Sequence, residues 1–340
     1  MRQDPLAATN APMFRSLARI AAIGTYVPER KLTNADLERL VDTSDEWILQ
    51  RTGIRERRIA RDDQYTSHLA YAAVADLVAR YDVRLDDVDY VIVATSTPDT
   101  VFPSVAAGVQ ARFGIKSCGA VDIQAACAGF TAGLQLANGL ILSGLHRKIL
   151  VIGADALSKI TDYTDRTTCI LFGDGAGAVL VERTEEGDGH FIASYNSTDG
   201  DGGRHVYCSH LAPAIGEYGL IMNGKLVQNG REVYRWAVSK VAEGVAELLR
   251  SANVGPEEID WFVPHNANMR IIEALCERTG FRGDQAIASI AKHGNTSAAS
   301  IPLAMDEALK DGRLKAGHTL LLHGFGGGLT QAGTILRWSL

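Results

Sequence analysis

The sequence lacks any apolar run that could cross a membrane, since a spanning helix needs about 20 such residues in succession. The N-terminus carries Arg2 and Asp4 but no long apolar stretch, so we expect no secretory signal. No Cys-x-x-Cys spacing occurs, and the five cysteines are widely spaced and odd in number. This pattern favours free thiols in a cytoplasmic protein over a disulfide framework.

An excess of positive charge is also absent. The 340 residues carry a formal net charge of −6, which gives no general attraction to nucleic acid or to anionic membranes. Apolar residues are present in ordinary amount, at 46%. A chain of this length can bury an ample core, as one large domain or as two closely packed halves.

Apolar runs alternate with helix-like segments along the chain, which predicts an α/β fold. Thr33 or Asn34 is expected to cap an early helix. The segment 128–144 is apolar nearly all round and is therefore expected to form a buried helix. Strands are expected at 16–24, 88–96, 120–124, 148–153, 176–182, 261–264, 319–323 and 333–338, and further helices at 103–113, 231–252 and 269–279.

The sequence repeats one pattern in two halves. Residues 85–93 resemble residues 255–263, and after each comes a helix, a small-residue helix start and an apolar strand. The repeat predicts that Cys127 and Asn295 occupy equivalent places, where two central helices begin. Because a Gly/Asp-rich transition starts at Gly187, we expect this division of the chain: a leader at 1–15, an N-terminal half at 16–184 and a C-terminal half at 185–340.

Cys127 stands between an apolar run and a small-residue helix, a context that no other cysteine of the chain shares. A thiol at a helix N-terminus meets unsatisfied backbone N–H groups and the positive end of the helix dipole. Both effects favour the thiolate, which is the nucleophilic form. The alternative is a buried, inert cysteine.

Two segments far downstream supply an imidazole and an amide. His265 lies in a Pro-His-Asn-Ala-Asn segment, and Asn295 lies in a His-Gly-Asn-Thr-Ser segment. Together with a reactive cysteine, these residue types indicate acyl-transfer chemistry. Taken alone, His265 could be a core histidine and Asn295 a turn residue or helix cap.

Two glycine-rich segments, 173–177 and 324–328, raise the alternative of a nicotinamide oxidoreductase. Dinucleotide binding needs a helix directly after the glycines and an acidic residue about 20 positions further on. An apolar strand follows the first segment, and about twelve residues follow the second. We therefore expect no dinucleotide site.

Several longer blocks occur in one order along the chain after the leader: 33–37, 42–48, 51–57, 125–130, 172–177, 264–270, 293–300 and 325–328. In these blocks the sequence resembles the β-ketoacyl-acyl-carrier-protein synthase III family, the initiating condensing enzymes of bacterial type II fatty-acid synthesis. The resemblance implies a thiolase-like fold, with two pseudo-symmetric halves in an α-β-α-β-α arrangement.

The resemblance implies a two-stage reaction. A short acyl-CoA acylates Cys127, and malonyl-acyl-carrier protein then loses CO₂ and attacks the thioester to give 3-oxoacyl-acyl-carrier protein. His265 and Asn295 would stabilise the enolate, and His265 would also help to activate the thiol. The elongating branch has His where Asn295 stands, which favours the initiating branch. Two alternatives stay open: a secondary-metabolite or quinolone-type synthase with another acceptor, and a catalytically silent acyl-CoA-binding protein.

The same resemblance implies further binding residues and a homodimer, but no cofactor and no metal. The backbone N–H groups of Cys127 and Gly328 would hold the thioester oxyanion, and Phe102 would line the acyl pocket of a neighbouring subunit. The remaining implied contacts are Trp47, Arg51 and Arg166 for coenzyme A, and Asn266, Arg270 and Lys292 for the acyl carrier protein.

Three features depart from the family pattern. Asn266 stands where Gln is usual, and His323 stands where an acidic residue often precedes the glycine loop. The segment 199–221 is longer than in the shortest members, and its His205, Cys208 and His210 could suggest a metal. Because a fourth ligand is not evident, a mobile lid or loop is the preferred interpretation.

Overall fold

The computed structural model describes residues 14–185 and 187–340, so most of the predicted leader lies outside the described residues. The helices are α1 (Asn34–Leu37), α2 (Asp45–Thr52), α3 (Thr66–Tyr81), α4 (Val105–Arg112), α5 (Gly129–Leu142), α6 (Gly230–Trp236), α7 (Ala242–Ala252), α8 (Met269–Thr279), α9 (Ile290–His293) and α10 (Ser300–Lys310). In the same described ranges, no helix is both long and apolar enough to cross a bilayer.

Two mixed sheets form the frame of the molecule. The strands are β1 (Ala18–Tyr26), β2 (Lys31–Thr33), β3 (Glu56–Arg58), β4 (Tyr90–Ala94), β5 (Gly119–Ile123), β6 (Lys148–Ala156), β7 (Asp174–Arg183), β8 (Phe191–Thr198), β9 (Val206–Cys208), β10 (Ala214–Ile215), β11 (Tyr218–Gly219), β12 (Leu226–Gln228), β13 (Trp261–Pro264), β14 (Thr319–Gly326) and β15 (Thr330–Arg337). One sheet has the order β1-β7-β6-β4-β5 and the other β13-β14-β15-β8.

Helices α5 and α10 form the layer between the two sheets. Apolar side chains of both helices, such as Phe130 and Met305, share one core with Val151 of the first sheet and Leu322 of the second. Helices α3 and α4 cover the outer face of the first sheet, and α7 and α8 cover the outer face of the second. The predicted α-β-α-β-α arrangement is therefore confirmed.

The central helix α5 is buried on one side only, although its sequence predicted burial all round. Phe130, Leu134 and Ile141 are fully buried, whereas Leu136 and Leu142 are 48% and 39% exposed. The helix contacts both sheets, but this edge of it stays open in the single chain.

The helix predicted over 231–252 is interrupted. A π-helical turn at Ala237–Val241 separates α6 from α7. Beside this turn, the Gln331 side chain donates a hydrogen bond of 3.0 Å to the Lys240 carbonyl oxygen. A side chain that donates a hydrogen bond to a backbone carbonyl in this way compensates for the interruption of the regular helical hydrogen bonds.

Each central helix begins with the same local structure. A 3₁₀ turn, Ala126–Ala128, precedes α5, and a second 3₁₀ turn, Ser297–Ala299, precedes α10. The first residues of these turns have positive φ angles, 44° at Ala126 and 50° at Ser297. Matching the two turns residue by residue pairs Cys127 with Ala298. Asn295 lies three residues before Ala298, so the predicted equivalence of Cys127 and Asn295 is wrong.

Candidate active site

A cavity of about 1580 Å³ is lined by Cys127, His265 and Asn295. Cys127 follows β5, His265 follows β13, and Asn295 lies between α9 and α10. The three residues come from both halves of the chain, so only the packed molecule brings them together. Their placement agrees with a common site, while their individual roles stay predictions.

Cys127 is held against the glycine-rich end of β14. A Cβ atom at Gly326 would lie 3.0 Å from the Cys127 Cβ and 3.1 Å from its Sγ. A Cβ atom at Gly324 would lie 2.8 Å from the Ala128 Cα. These two glycines therefore allow the strand to approach the turn that contains Cys127 more closely than any other residue would.

Gly328, the predicted oxyanion donor, lines the same cavity. Its φ of 147° lies in the region that favours glycine. A Cβ atom there would meet Thr330, at 2.9 Å from the backbone nitrogen, and not Cys127. The close approach to the cysteine thus belongs to Gly326, and the donor role of Gly328 stays a prediction.

Burial controls the protonation of Cys127. Part of the residue is open to the cavity, yet the surrounding protein raises the pKa of its thiol to about 12, with Ser297 acting in the opposite direction. Desolvation is the main cause of this raised pKa. The thiol lies in the 3₁₀ turn, before the first residue of α5, and its reactivity stays a prediction.

His265 is a neutral imidazole in its resting state, because full burial lowers its pKa to about 3. Its Nδ1 lies 2.7 Å from the Ser300 hydroxyl, which also accepts a hydrogen bond from the Asn266 backbone N–H. A hydroxyl can donate to Nδ1 or accept from it, so either tautomer of the ring can be held. The ring also meets Phe325 edge-on, with centroids 5.2 Å apart.

Asn295 is fixed through both its backbone and its side chain. Its backbone N–H donates to the Leu171 carbonyl at 2.8 Å, and its carbonyl accepts from the Gly173 N–H at 3.0 Å. The side-chain Oδ1 accepts from the Ser297 N–H at 2.9 Å. The acceptor atom is thus occupied, and Nδ2 is left as a donor for a bound molecule.

The three predicted coenzyme A residues lie together. The guanidinium carbons of Arg51 and Arg166 lie 5.6 and 5.0 Å from the centroid of the Trp47 ring. Trp47 and Arg51 line the cavity, and Arg166 is 3.4 Å from the Asp42 carboxylate. An indole ring flanked by two cations suits an aromatic ring that carries phosphates.

The three residues predicted to contact the carrier protein differ in exposure and in the partners of their polar atoms. Arg270 lines the cavity, and the exposed Lys292 forms an ion pair with Glu307. Asn266 is fully buried: its Oδ1 accepts from the Ser289 N–H at 2.7 Å, and its Nδ2 donates to the Pro264 carbonyl at 2.9 Å. The prediction that Asn266 contacts the carrier protein is therefore wrong, because its polar atoms are used inside the fold.

Phe102 is 82% exposed, the orientation that a residue serving another subunit would need. It does not line the cavity of its own chain, although its neighbour Val101 does. The pocket-lining role of Phe102 toward a second copy stays a prediction.

The segment 199–221 forms one side of the cavity and contains a 3₁₀ turn, β9 and the β10–β11 hairpin. Cys208 and His210 line the cavity, and the Cys208 thiol lies 3.4 Å from the Gly224 carbonyl. Within residues 14–185 and 187–340, no group of three or more His, Cys, Asp or Glu side chains could hold a metal ion.

His323 lies directly behind the catalytic candidates. It is fully buried and its pKa is lowered to about 4 by burial. Its backbone carbonyl accepts from the His265 N–H at 2.8 Å, and its Nε2 lies 3.0 Å from the Gln331 Oε1. A neutral histidine with a glutamine partner thus occupies the place where an acidic residue often precedes the glycine loop in the family pattern.

Sequence reasoning missed two polar groups that support the site. Ser300 contacts His265, and Arg57 is completely buried near the segment that holds Asn295. Both lie inside blocks that the sequence singled out, at 293–300 and 51–57, and this was the only signal for them.

Comparison with known proteins decides the family. Family models described as 3-oxoacyl-[acyl-carrier-protein] synthase III and its C-terminal part match residues 121–200 and 249–338. The chain is 57% identical to β-ketoacyl-[acyl-carrier-protein] synthase III 2 of Halalkalibacterium halodurans, over 96% of this chain and 98% of that protein. The chain belongs to the β-ketoacyl-acyl-carrier-protein synthase III family.

Solved structures of a synthase III and of a priming ketosynthase share the fold. The enzyme of Thermus thermophilus aligns with a TM-score of 0.91 at 48% identity, covering 94% of this chain and 99% of that one. The priming β-ketosynthase from the R1128 polyketide pathway aligns with a TM-score of 0.88 at 32% identity, covering 98% and 99%. The predicted thiolase-like fold and the predicted enzyme class, an acyltransferase, are confirmed.

Proposed function

We propose that this chain condenses a short acyl-CoA with malonyl-acyl-carrier protein, releasing CO₂ and forming 3-oxoacyl-acyl-carrier protein. The observation that carries the proposal is one cavity lined by a thiol, a neutral imidazole and an amide with a free donor. The names of the relatives, which refer to acyl-carrier-protein substrates, support the same reaction.

In the first stage Cys127 becomes acylated. Because its pKa is about 12, the thiol must lose its proton as it attacks the acyl-CoA carbonyl. His265 is neutral and has a ring nitrogen that can accept this proton. The sulfur–carbonyl bond forms, the bond to coenzyme A breaks, and the proton leaves with the coenzyme A thiolate, which returns His265 to its neutral form.

In the second stage the malonyl group loses CO₂. The electron pair of the broken carbon–carboxylate bond becomes an enolate, whose oxygen needs hydrogen-bond donors. We assign that role to the Asn295 Nδ2 and the His265 Nε2–H. The ring leaves the first stage with its proton on Nδ1, and exchange with solvent protons places a proton on Nε2 instead, after which Nδ1 accepts from Ser300. The enolate carbon then attacks the thioester and releases the Cys127 sulfur as a thiolate, which takes up a proton from solvent to restore the thiol. Neither stage changes an oxidation state through an external group, so the proposal includes no cofactor.

The substrate-binding proposals follow from the charged rim of the cavity. Trp47, Arg51 and Arg166 would bind the adenine and phosphates of coenzyme A. Arg270 would meet the acidic carrier protein, with Lys292 contributing once its pairing with Glu307 is relaxed. A cytoplasmic location is consistent with these substrates and is part of the proposal.

We also propose a homodimer. β5 is an edge strand of the five-stranded sheet, and its Val121 is partly exposed, as are Leu136 of α5 and Phe102. An unpaired edge beside exposed apolar groups favours burial by a second copy. Sedimentation should give about twice the chain mass of 36.5 kDa, and a monomer at micromolar concentration would contradict the proposal.

The second candidate is a priming synthase of a secondary-metabolite pathway. One observation favours it: the R1128 priming β-ketosynthase has the same fold at 32% identity. Such an enzyme would keep the acylation stage at Cys127 and differ in the acceptor. The higher identity of 57% to a synthase III 2 favours the fatty-acid reaction.

A primer series with a defined acceptor tests the proposal. Purified protein is incubated with malonyl-acyl-carrier protein and with acetyl-, straight-chain or branched acyl-CoA, and carrier-bound products are identified by mass spectrometry. A 3-oxoacyl-carrier protein extended by two carbons is expected for at least one primer. Cys127 acylation by these primers without any such product would favour the second candidate instead.

A further inference from the structure

Arg57 is a completely buried arginine with no function in the reaction as described so far. It lies on the short strand β3, and none of its partners is a carboxylate within 4.0 Å. Burial lowers the pKa of its guanidinium to about 10, so the group is still charged at neutral pH. A buried cation costs free energy unless its N–H groups are well satisfied.

The guanidinium is satisfied by one backbone carbonyl and one amide. Its Nε donates to the Ile170 carbonyl at 2.9 Å, and its Nη2 donates to the same oxygen. Its Nη1 donates to the Asn34 Oδ1. Asn34 is fixed in turn, because its Nδ2 donates to the Asp45 carboxylate at 2.7 Å and to the Ile54 carbonyl at 2.9 Å.

The Ile170 carbonyl belongs to the segment that holds Asn295. Leu171 and Gly173 pair with the backbone of Asn295 on both sides, at 2.8 and 3.0 Å, and Phe172 forms a parallel bridge with it. The aliphatic part of the Arg57 side chain packs against Gly294, the residue before Asn295. A Cβ atom at Gly294, whose φ is +66°, would lie 2.9 Å from the Arg57 Cγ.

We infer that Arg57 is a positioning residue, which holds the amide of Asn295 in place through the Ile170 carbonyl. The inference rests on the proposed function, in which Asn295 acts only after Cys127 has been acylated. Cys127 and His265 are held by other contacts, from β14 and from Ser300. Loss of the Arg57 contact should therefore slow decarboxylation and leave acylation nearly unchanged.

The test separates the two stages in purified Arg57→Gln and Arg57→Lys proteins. Acylation is followed as mass gain on the Cys127 peptide, and decarboxylation as labelled CO₂ released from malonyl-acyl-carrier protein. We expect Arg57→Gln to decarboxylate about 100-fold more slowly, a loss typical of a misplaced catalytic group, while acylation changes about twofold or less. Lysine cannot donate two parallel hydrogen bonds, so Arg57→Lys should lose about tenfold in decarboxylation alone.

Arg80→Gln is the matched control. Arg80 is also a largely buried arginine, but it pairs with Asp306 and Asp76 away from the cavity. Its loss should lower stability and leave the ratio of the two rates unchanged. A wild-type ratio in Arg57→Lys, or equal losses in both stages, would overturn the inference, and Arg57→Lys decides the matter even if Arg57→Gln does not fold.

Failure of the proposed function would give a different experimental result from failure of the role assigned to Arg57. Wild-type protein that releases no CO₂ from malonyl-acyl-carrier protein would contradict the reaction itself. Wild-type release with variants that keep the wild-type ratio would contradict only the role of Arg57.

Discussion

At the scale of single residues, burial sets the resting state of the site. It raises the pKa of the Cys127 thiol to about 12 and lowers the pKa of His265 to about 3. Both groups are therefore neutral at physiological pH. A thiol and a free base can exchange a proton during attack, without a stored ion pair that would have to be broken first.

The pH dependence of alkylation tests this resting state. Below the pKa of a thiol, its thiolate fraction rises tenfold with each pH unit. The rate at which iodoacetamide modifies Cys127 should therefore keep rising from pH 7 to 10 without levelling off. The Cys127→Ser protein corrects for the exposed Cys208, and a plateau below pH 8 would show a thiolate and contradict the account.

The candidate site residues stand out in the sequence, whereas the residues that support them do not. Cys127, His265 and Asn295 stand in short segments with chemical character of their own. The pKa of Cys127 could not be predicted, because desolvation depends on chain segments far away in sequence. Arg57 lies in the block 51–57, but its local sequence does not indicate its role, since its partner Ile170 is 113 positions further on.

At the scale of elements, the site depends on how closely β14 approaches the turn at Ala126–Ala128. The approach is possible because Gly324 and Gly326 have no side chains. A methyl group at Gly324 would meet the Ala128 Cα and the Cys127 carbonyl oxygen, and one at Gly326 would meet the backbone nitrogen and the side chain of Cys127. The sequence indicated the glycine-rich loop, but only the structure identifies the residue beside the thiol.

Gly326→Ala should therefore impair Cys127. A new Cβ about 3 Å from the sulfur would displace it, and we expect acylation by acyl-CoA to fall about 100-fold or more, as displaced reacting groups do. Gly139→Ala is the control, since it lies in α5 with nothing within 4 Å of the added atom. It should gain about 1 kcal/mol of stability. Normal acylation in Gly326→Ala would contradict the assigned packing.

Element prediction succeeded where local pattern decides the outcome. The strand at 261–264 and the helix at 269–279 were predicted with their observed limits. The helix predicted at 231–252 was wrong in one respect, because a π-helical turn divides it. The hydrogen bond to the Lys240 carbonyl beside this turn comes from Gln331, 91 positions away, so a local sequence window does not contain it.

At the scale of the whole molecule, the cavity lies where the two halves meet. The first sheet draws its strands from residues 18–183 and the second from 191–337, and each half contributes at least one of the three candidate residues that line the cavity. The repeat in the sequence predicted this duplication. The repeat paired Cys127 with Asn295, which is three residues away from Ala298, the true counterpart of Cys127. The two 3₁₀ turns have different residues at equivalent places, so the sequence did not show this.

In the proposed reaction one cavity performs two separable stages, with Cys127 acylated in the first and Asn295 acting only in the second. The most direct measurement follows the mass of the Cys127 peptide in wild type, Cys127→Ala and Asn295→Ala, with acyl-CoA alone and after malonyl-acyl-carrier protein is added. Wild type should gain the acyl group and then lose it to product. Cys127→Ala should gain nothing, and Asn295→Ala should gain the group and keep it. Acyl transfer to the Cys127→Ala protein at the wild-type extent, or an Asn295→Ala protein that cannot be acylated, would contradict the account.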